Sequence, residues 1–375
     1  MRIAIDARFV GTPGGLGRYS EGLVRALAQT APDNEFVLFL REAGQRRFEG
    51  ADSRLIKALA EVPWYSFREQ LFLPGVASRA RADLIHWTHW NVPLASPRPF
   101  VVTIHDLILL DYPTVRATTL APWFYRFKSA AFRLVLKKAV SRAAAVIVPT
   151  EYVRSRVKEI FSLTDKKIFV TGEGLSALPE LDAAAAERII QGLGLPERYI
   201  LSLGNAYPHK NLEGLLRAFR RLRPDFPALG LVLAGNDDYF FRRLVAEARR
   251  NGLAENVTFV PSPDDRTVAA LHTRAAVYAC VSFVEGFGLP ALDSLAAGVP
   301  VVAARAAALP EVLGAAAEYV RPEEPADIAA GIRRALTDQN LRQMLIAAGR
   351  QQVERWSWGE TARRTLAVYR KVVKK

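Results

Sequence analysis

The sequence predicts an α/β protein made of two doubly wound, parallel-sheet domains, and three observations support this prediction. The chain has 375 residues, which is more than one hydrophobic core usually organises. Short β-branched and apolar runs alternate with segments of helical periodicity, a pattern that is typical of parallel sheets with crossover helices. This alternation is weakest between residues 173 and 196, and it continues after residue 196.

Strands are predicted at short apolar runs in both halves of the chain. They are RIAI, FVLFL, DLIHW, FVVTI and AAVIV in the first half, and YILSLG, LGLVLAG, VTFV, AAVYACVS and VPVVAA in the second. A helix or a glycine turn follows each run. The domains are therefore expected at 1–178 and 179–355, joined through a short helix, and residues 356–375 are expected to form a last helix that Ser357 caps.

Composition and charge limit the class of protein. The 51 basic and 38 acidic residues leave a formal charge of +13, which indicates an anionic partner such as nucleic acid, a membrane surface or a phosphorylated ligand. The single cysteine, Cys280, excludes a disulfide framework and a multi-thiolate metal site, and its apolar setting predicts a buried strand position. The chain opens with a strand, MRIAID, and has no run of about 20 apolar residues. We therefore expect a cytoplasmic protein.

Ligands of open α/β sheets bind at the carboxyl ends of the strands, so candidate site residues are sought there. After the first strand, Gly14, Gly15 and Gly17 precede a helix. They either let main-chain amides approach a phosphate or serve only a tight turn. His105 ends the FVVTI strand, where it can donate a hydrogen bond to a sugar hydroxyl or to a backbone carbonyl.

In the second half, the loop after YILSLG carries Lys210, which can reach a phosphate near the following helix or stay solvated. Asn211 is a plausible cap of that helix. Further on, Glu285 lies in a glycine-rich loop and Asp293 lies one turn into the next helix, which Pro290 begins. Bare backbone between two carboxylates can bind a phosphate and sugar hydroxyls together, which suits a nucleotide sugar.

The segment that holds both acids, EGFGLPALDSLAAGVPVV, resembles the signature of the family 4 retaining glycosyltransferases. Further segments match that family in the same order along the chain: GGLGRYSEGLVRAL, VTIHDL and LSLGNAYPHKNLEGLLRAF before it, and WSWGETARRTLAVYR after it. The resemblance implies the GT-B fold, in which two Rossmann-like domains face each other across a cleft. It also implies that the last helix packs back on the N-terminal domain.

The resemblance implies a role for each matching residue. Glu285 would contact hydroxyls of the donor sugar, and Asp293 would bind the ribose. Lys210 would neutralise the diphosphate, and His105 would sit beside the transferred sugar. The remaining donor contacts are expected from Gly15, Leu16, Gly17, Asn205, Gly286, Phe287, Gly288 and Leu289, with the first three approaching the diphosphate through their amides.

Two departures from the family are visible. The family more often has glutamate where Asp293 stands, so the ribose contact is expected to be longer or water-bridged. It often has arginine where Asn205 stands, so charge neutralisation would rest more heavily on Lys210 and on backbone dipoles. The resemblance implies retention without a metal or any cofactor besides the donor substrate. The acidic pair Asp237 and Asp238 is accordingly interpreted as a turn with helix caps. A third ligand near His86 and His89 is missing, so they are expected to line the acceptor side or to pack.

The implied partners are a nucleotide-sugar donor and a glycan or lipid-linked saccharide acceptor. The first hypothesis is mannose from GDP-mannose in bacterial surface polysaccharide synthesis, while UDP-glucose and UDP-N-acetylglucosamine stay open. Two alternatives remain besides a transferase. One is a sugar-nucleotide epimerase or a phosphorylase on the same fold. The other is a non-catalytic sugar-nucleotide-binding subunit of a glycan assembly complex.

The segment from Arg116 to Arg142 has seven basic residues and no acidic ones. An apolar stripe repeats along it at helical spacing: Trp123, Phe127, Ala130 and Leu134. The stripe predicts either a helix that lies on an anionic membrane surface or an ordinary core-packing helix with solvated charges. The first interpretation adds a peripheral location at the inner face of the cell membrane. No nucleic-acid module is recognisable, so a nucleic-acid partner is not expected.

Overall fold

The computed structural model describes residues 1–50, 52–114, 116, 118 and 121–374, with the backbone alone at residues 122 and 124. The chain divides into two compact units. Unit 1 contains Met1–Leu107, Leu120–Ser176 and Trp356–Lys375, and unit 2 contains Ile108–Thr119 and Ala177–Arg355. Residues 108–119 therefore belong to unit 2, whereas the sequence placed them in the N-terminal domain.

Each unit is built on a parallel sheet of apolar, mostly buried strands. The strands of unit 1 are β1 (Arg2–Asp6), β2 (Glu35–Leu40), β3 (Leu55–Leu59), β4 (Leu84–Trp87), β5 (Phe100–Thr103), β6 (Ala145–Val148) and β7 (Ile168–Val170). The strands of unit 2 are β8 (Tyr199–Leu203), β9 (Gly230–Gly235), β10 (Val257–Pro261), β11 (Ala275–Cys280), β12 (Val301–Ala304) and β13 (Ala317–Val320).

Helices connect these strands, as a parallel sheet requires. In chain order they are α1 (Gly15–Thr30), α2 (Glu42–Arg47), α3 (Phe67–Arg79), α4 (Ile108–Asp111), α5 (Pro122–Arg142), α6 (Glu151–Phe161), α7 (Ala183–Gly192), α8 (Leu212–Leu222), α9 (Tyr239–Arg250), α10 (Asp265–Thr273), α11 (Leu289–Ala296), α12 (Leu309–Leu313), α13 (Pro325–Thr337), α14 (Gln339–Glu354) and α15 (Trp358–Val373).

The strand order reverses once in each sheet. In unit 1 the order is β3-β2-β1-β4-β5-β6-β7, and in unit 2 it is β10-β9-β8-β11-β12-β13. The reversals lie between β1 and β4 and between β8 and β11. Connections leave in opposite directions at such a point, so a crevice opens outside the carboxyl ends of the two strands, where open α/β sheets bind their ligands.

The strands predicted from the sequence are all present, and three further strands were missed. The missed strands are β3, β7 and β13, and each lies at an edge of its sheet. Edge strands have one unpaired side and stand partly in solvent; in β3, for example, only Leu55 is buried, while Lys57 and Leu59 are exposed. Their apolar runs are therefore too short or too interrupted to register as buried parallel strands.

Helix α15 completes the core of unit 1. Ala362, Leu366 and Tyr369 lie in the same buried cluster as the side chains of β1 and β2. Ser357 caps the helix as predicted, because its side chain accepts a hydrogen bond from the main-chain NH of Glu360. Trp358 rests on two glycines of unit 1. A Cβ atom at Gly22 or Gly174 would lie 2.2 or 2.4 Å from its ring.

Candidate active site

The reversal point of unit 2 contains a small pocket between the loops that follow β8 and β11. It encloses about 20 Å³, which is roughly the space that one water molecule needs. A larger ligand must therefore open the pocket or bind across its mouth. Nine of the lining residues belong to the two segments that the sequence singled out: Ser202, Leu203, Gly204, Asn205, Lys210, Leu212, Glu285, Gly288 and Pro290.

Lys210 and Glu285 form an ion pair in this pocket. Lys210 Nζ donates to Glu285 Oε1 at 2.6 Å, and Ser282 Oγ donates to the same oxygen at 2.7 Å. The Lys210 and Glu285 side chains are only 20% and 9% exposed. Removing one partner of such a pair leaves the other buried and unpaired, at a cost of about 3–5 kcal/mol. Sequence reasoning found both residues but not their contact, and it missed Ser282, which stands three positions before Glu285.

The charge of the pocket follows from this contact. Burial raises the pKa of Glu285, but the charge of Lys210 and the hydrogen bonds from Lys210 and Ser282 outweigh it, so the pKa falls below its usual range. Burial and then the charge of Lys210 lower the pKa of His209 to about 4. His209 is therefore neutral at pH 7. Positive charge beside Glu285 comes from Lys210 and not from the neighbouring histidine.

Two asparagines of the loop after β8 behave differently. Asn205 Oδ1 is buried and has no hydrogen-bond partner among the residues that the structure describes. Asn211 directly precedes α8, but its side chain does not cap the helix. Its Nδ2 instead donates to the carbonyls of Val281, at 3.1 Å, and Pro322, at 2.6 Å. The predicted cap is therefore wrong. Asn211 ties the β8 loop to the loop after β11, which fixes Lys210 next to Glu285.

The loop after β11 ends in a turn that only glycine adopts without strain. Gly288 has a φ of +99°, in the left-handed region, and a Cβ atom there would lie 2.9 Å from Leu309. Helix α11 follows with Pro290 in its first turn, as predicted. Phe287 and Leu289 are only 5% and 6% exposed. Their side chains belong to the protein interior, so a ligand at residues 286–289 would meet main-chain atoms.

Asp293 lies in α11 and is only 3% exposed. The structure does not place it among the residues that line the small pocket. It is one helical turn beyond Leu289, so its predicted contact with a ribose would lie beyond the pocket toward the helix body.

The first turn of the β8 loop depends on a close main-chain approach that sequence reasoning missed. A Cβ atom at Gly235, the last residue of β9, would lie 1.9 Å from the carbonyl oxygen of Gly204. Gly204 itself has a φ of +137°. Glycine at both positions therefore lets the ends of β8 and β9 approach each other, and this approach sets the path of the chain into Asn205.

In unit 1, the two glycines in the first turn of α1 differ in their exposure to solvent. Gly15 is exposed and Leu16 is half-buried at the start of α1, where their amides can face a ligand. Gly17 is buried, and a Cβ atom there would lie 2.2 Å from the carbonyl oxygen of Thr12. Packing of α1 on the preceding turn therefore accounts for Gly17 without any ligand.

His105 is held by unit 1 through both ring nitrogens. Nδ1 lies 2.8 Å from Glu173 Oε1, and Nε2 lies 2.9 Å from the Thr88 carbonyl oxygen. Burial lowers the pKa of His105, but the hydrogen bond and charge of Glu173 outweigh it and raise the pKa overall. Of the two partners that the sequence allowed, the structure contains the backbone carbonyl. Glu173 was missed as a partner because it is 68 residues away in sequence.

The two other candidate groups for a metal have structural roles. Asp238 caps α9 by accepting from the amides of Phe240 and Phe241, and Asp237 pairs with Arg242. His86 is buried between the Tyr369 hydroxyl and Thr103. Within the described part of the chain, no group of three potential metal-ligating side chains comes together.

Helix α5 turns its predicted apolar stripe outward. Trp123, Phe127 and Leu134 are 73%, 68% and 52% exposed, so the core-packing interpretation of this stripe is wrong. The helix is anchored instead by Leu136, Ala139 and Val140, which are buried. Among the described residues, no helix has both the length and the apolar character needed to cross a membrane.

Comparison with known families matches both halves of the chain. The family model described as Glycosyltransferase Family 4 matches residues 13–176, and the model described as Glycosyl transferases group 1 matches residues 185–352. All of the candidate site residues lie inside these two matched ranges.

Comparison with individual proteins agrees. The chain is 27% identical to O-antigen chain mannosyltransferase B of Escherichia coli over 95% of this chain and 96% of the relative. It is 24% identical to the O-antigen chain mannosyltransferase RfbU of Salmonella typhimurium over 71% of this chain and 68% of that protein. A solved sucrose-phosphate synthase from Thermosynechococcus elongatus shares the fold, with a TM-score of 0.76 at 19% identity over 99% of this chain and 98% of that chain.

The predicted fold class, two parallel-sheet α/β domains of the GT-B type, is thereby confirmed, and so is the enzyme class. Three observations support the same enzyme class, a glycosyltransferase: the order of the motifs, the two family matches and the mannosyltransferase relatives. The chain belongs to the glycosyltransferases, with a family 4 domain followed by a group 1 domain.

Proposed function

We propose that the chain transfers mannose from GDP-mannose to a glycan or lipid-linked saccharide, with retention of the anomeric configuration and without a metal. The observation that carries this proposal is the Lys210–Glu285 pair at the strand-order reversal of unit 2, in which Glu285 is buried and Lys210 partly buried. The choice of mannose is supported by the names of the Escherichia coli and Salmonella typhimurium relatives.

The donor would bind to unit 2. When the donor binds, the Lys210 ammonium would interact with the diphosphate as well as with Glu285. It would thereby stabilise the negative charge that grows on the diphosphate as this group leaves. A preorganised cation in a site with little water stabilises such charge strongly. The amides at the start of α11 would supply the rest, because Asn205 contributes no charge where the family often has arginine.

Glu285 and Asp293 would bind hydroxyl groups of the two sugars of the donor, the transferred sugar and the ribose. The Lys210 and Ser282 hydrogen bonds to the Glu285 carboxylate both end on Oε1, and Oε2 would accept from a hydroxyl of the transferred sugar. Asp293 would accept from the ribose. His105 would order the loop after β4 through its bond to the Thr88 carbonyl, and unit 1 would hold the acceptor. The acceptor hydroxyl would attack the anomeric carbon on the side that the diphosphate leaves.

A transfer assay tests the donor and the stereochemistry together. The chain is incubated with GDP-mannose, UDP-glucose or UDP-N-acetylglucosamine and with mannose-terminated oligosaccharide acceptors, before and after exhaustive chelation. We expect an α-linked mannoside from GDP-mannose alone, at the same rate with and without chelator. A β-linked product, a preferred uridine donor or a strict requirement for manganese would each contradict the corresponding part of the proposal.

We also propose that α5 lies on an anionic membrane surface. Exposed cations accompany the exposed apolar stripe. Among them are Arg126 and Arg133, which lie on one face of the helix, two helical turns apart. An exposed basic and aromatic helix is the type that binds at such interfaces. Each cation near an anionic surface contributes about 1 kcal/mol.

Binding to lipid vesicles tests this surface. We expect the chain to bind vesicles of phosphatidylcholine with phosphatidylglycerol, and not phosphatidylcholine alone. The double variant Arg126→Gln and Arg133→Gln should bind about 30-fold more weakly, the equivalent of two such cations. The matched control, Arg220→Gln with Arg221→Gln on exposed positions of α8, removes the same charge and should bind as the parent does. Equal losses in both variants would mean a general charge effect and would overturn the assignment to α5.

A further inference from the structure

The amino end of the unit 1 sheet contains an open cavity of about 480 Å³. Small-molecule sites have volumes of about 300–1,000 Å³. Asp83, Pro99 and Ala144 line the cavity and directly precede β4, β5 and β6, while residues 371–373, in the last turn of α15, close one side. Substrates of open α/β sheets bind at the opposite, carboxyl end of the strands. This cavity, the α15 cavity, is therefore separate from the place where a donor or an acceptor is expected.

The walls of the α15 cavity are mostly apolar. Six of its nine lining residues are apolar: Pro99, Ala144, Ala145, Phe169, Val372 and Val373. Phe169 is only partly buried where it packs on the core of unit 1, and Val373 is 36% exposed. Apolar surface that a ligand withdraws from water contributes to binding in proportion to its area. The walls therefore favour a ligand with an apolar body.

Two lysines, Lys166 and Lys371, also line the cavity. Lys371 Nζ lies 4.7 Å from the centroid of the Phe169 ring, which is a cation–π contact. This contact holds the ammonium over an apolar wall. Among the residues that the structure describes, no carboxylate pairs with either lysine. Both ammonium groups can therefore meet an anion inside the cavity.

The surroundings of the cavity are basic as well. Lys167 donates to the Ser141 carbonyl at 2.8 Å, and burial, followed by the charge of Arg98, lowers its pKa. The one acidic residue in the lining is Asp83, whose Oδ2 accepts from the main-chain amide of Arg2 at 2.8 Å. Two ammonium groups and one carboxylate give the lining a net charge of +1. This balance attracts an anion.

The charge of the lining distinguishes between classes of anion. A carboxylate has a single negative charge at pH 7, which the net charge of the lining matches. A phosphate monoester has a charge of about −1.5 to −2, which would exceed it. A carboxylate also has two acceptor oxygens, and Lys166 and Lys371 each supply donors. A monocarboxylate is therefore the head group that suits this cavity.

The walls also distinguish between kinds of apolar body. Phe169 is the one aromatic residue in the lining, and the Lys371 ammonium lies over its ring. The other apolar lining residues are alanine, proline and valine, which offer aliphatic contacts and no ring for stacking. An aliphatic chain therefore suits the walls better than an aromatic ring does.

We propose that the α15 cavity is a binding site for a monocarboxylate with an aliphatic chain. The carboxylate lies between Lys166 and Lys371, and the chain packs against Val372, Val373 and the residues that precede the strands. Such a ligand connects the last turn of α15 to the sheet of unit 1, so it stabilises the folded protein by mass action. This site does not depend on the proposed transferase reaction.

The test measures binding of decanoate, with 1-decanol as the uncharged chain and acetate as the head group alone. Calorimetric titrations are made below the critical micelle concentration, and thermal melts are recorded with and without each probe. The first variant combines Lys166→Gln with Lys371→Gln. Its matched control combines Arg370→Gln with Lys374→Gln, which removes the same charge from exposed positions at the end of α15 that do not line the cavity. Val373→Ser, at an exposed position, tests the apolar wall.

We expect decanoate to bind the parent more tightly than 1-decanol or acetate and to raise its melting temperature. The double lysine variant should bind decanoate about 5- to 30-fold more weakly, the equivalent of two partly exposed ion pairs, and should bind 1-decanol as the parent does. Val373→Ser should weaken binding of decanoate about 4-fold, the equivalent of one methylene group left in water. The control should bind decanoate within a factor of about 2 of the parent, since a cation outside the cavity makes no ion pair with the ligand.

Four results would overturn the site. They are no binding of decanoate by the parent, equal binding of decanoate by the parent and the double lysine variant, an equal loss in the control, and binding of 1-decanol by the parent as tight as that of decanoate.

Discussion

Lys210 is the only lysine between Lys167 and Lys371, in a stretch where every other permanently charged cation is an arginine. The two side chains are not equivalent. An ammonium is a compact point charge, whereas a guanidinium is a broad planar fork. Lys210 Nζ already lies 2.6 Å from Glu285, so a compact charge can stand between this carboxylate and a phosphate. A single lysine in a stretch whose other permanent cations are arginines is therefore a sequence signal for the site.

Replacing Lys210 with alanine is expected to lower the rate of sugar transfer by a factor of about 10² or more, the usual effect of removing a group that stabilises developing charge. The unpaired Glu285 should also lower the free energy of unfolding. The measurement is kcat for transfer, made well below the melting temperature of the variant.

Lys158→Ala provides the control for this substitution. Lys158 is 49% exposed and pairs with Asp165 on the surface of unit 1, where an ion pair contributes about 0–1 kcal/mol. The control should keep its rate. An unchanged rate in the Lys210 variant would remove the proposed role in neutralising the diphosphate.

His105 gives the stability of the protein a pH dependence that can be separated from that of other groups. Glu173, the Thr88 carbonyl and Asp106 together raise its pKa against the effect of burial, and the rings of Tyr19 and His89 also face it. A histidine with a raised pKa contributes its full stability below the ordinary value of about 6.5. The contribution is lost as the pH rises through the raised value.

The variant Glu173→Gln tests this dependence. Its free energy of unfolding should fall furthest below that of the parent in mildly acidic buffer, and the gap should shrink as the pH rises into the alkaline range. Urea titrations across this range measure the gap. Glu360→Gln, whose partners are arginines, should show a gap that does not change with pH. A constant gap for Glu173→Gln would mean that His105 is neutral throughout.

At the scale of single elements, α1 shows that a glycine motif can have more than one cause. The residues left open a phosphate site or a tight turn, and the family resemblance implied that Gly15, Leu16 and Gly17 approach the diphosphate. The structure gives Gly17 a packing reason, since the carbonyl oxygen of Thr12 occupies the place of a side chain. Spacing along the chain cannot distinguish these causes, because the obstructing atom comes from a turn whose path is fixed only in the fold.

Gly17→Ala is therefore expected to destabilise unit 1 by about 1–3 kcal/mol, the cost of overpacking against main chain. Gly359→Ala is the matched variant, since Gly359 also lies in the first turn of a helix and a Cβ atom there would meet nothing within 4 Å. It should be neutral or stabilising by up to about 1 kcal/mol, because alanine is the better helix former. Chemical denaturation measures both. Equal effects would show that α1 has room to shift.

Edge strands mark the limit of prediction at this scale. The ten apolar runs predicted as strands include every central strand of both sheets, because strands covered on both faces are apolar along their whole length. The missed strands β3, β7 and β13 stand at edges, where solvent reaches one side and the apolar pattern is diluted. In α5 the pattern predicted a helix correctly, but periodicity alone could not say that the apolar stripe faces outward.

At the scale of the whole molecule, the sequence predicted the class of fold, the class of enzyme and the segments that carry the candidate site. It did so because ligand-binding residues of α/β sheets follow strands in a fixed way, so their order along the chain is informative. Partnerships across long separations were not predictable. The contacts of Glu173 with His105 and of Asn211 with Pro322 both depend on which strands become neighbours.

The central claim is that a nucleotide sugar binds to unit 2 with its diphosphate at Lys210. A crystal structure of the chain with GDP measures this most directly. The predicted result is a β-phosphate within hydrogen-bond distance of Lys210 Nζ and of main-chain amides at residues 286–289, with the ribose at Asp293. GDP bound away from residues 204–210 and 285–293, with Lys210 still paired with Glu285, would contradict the claim.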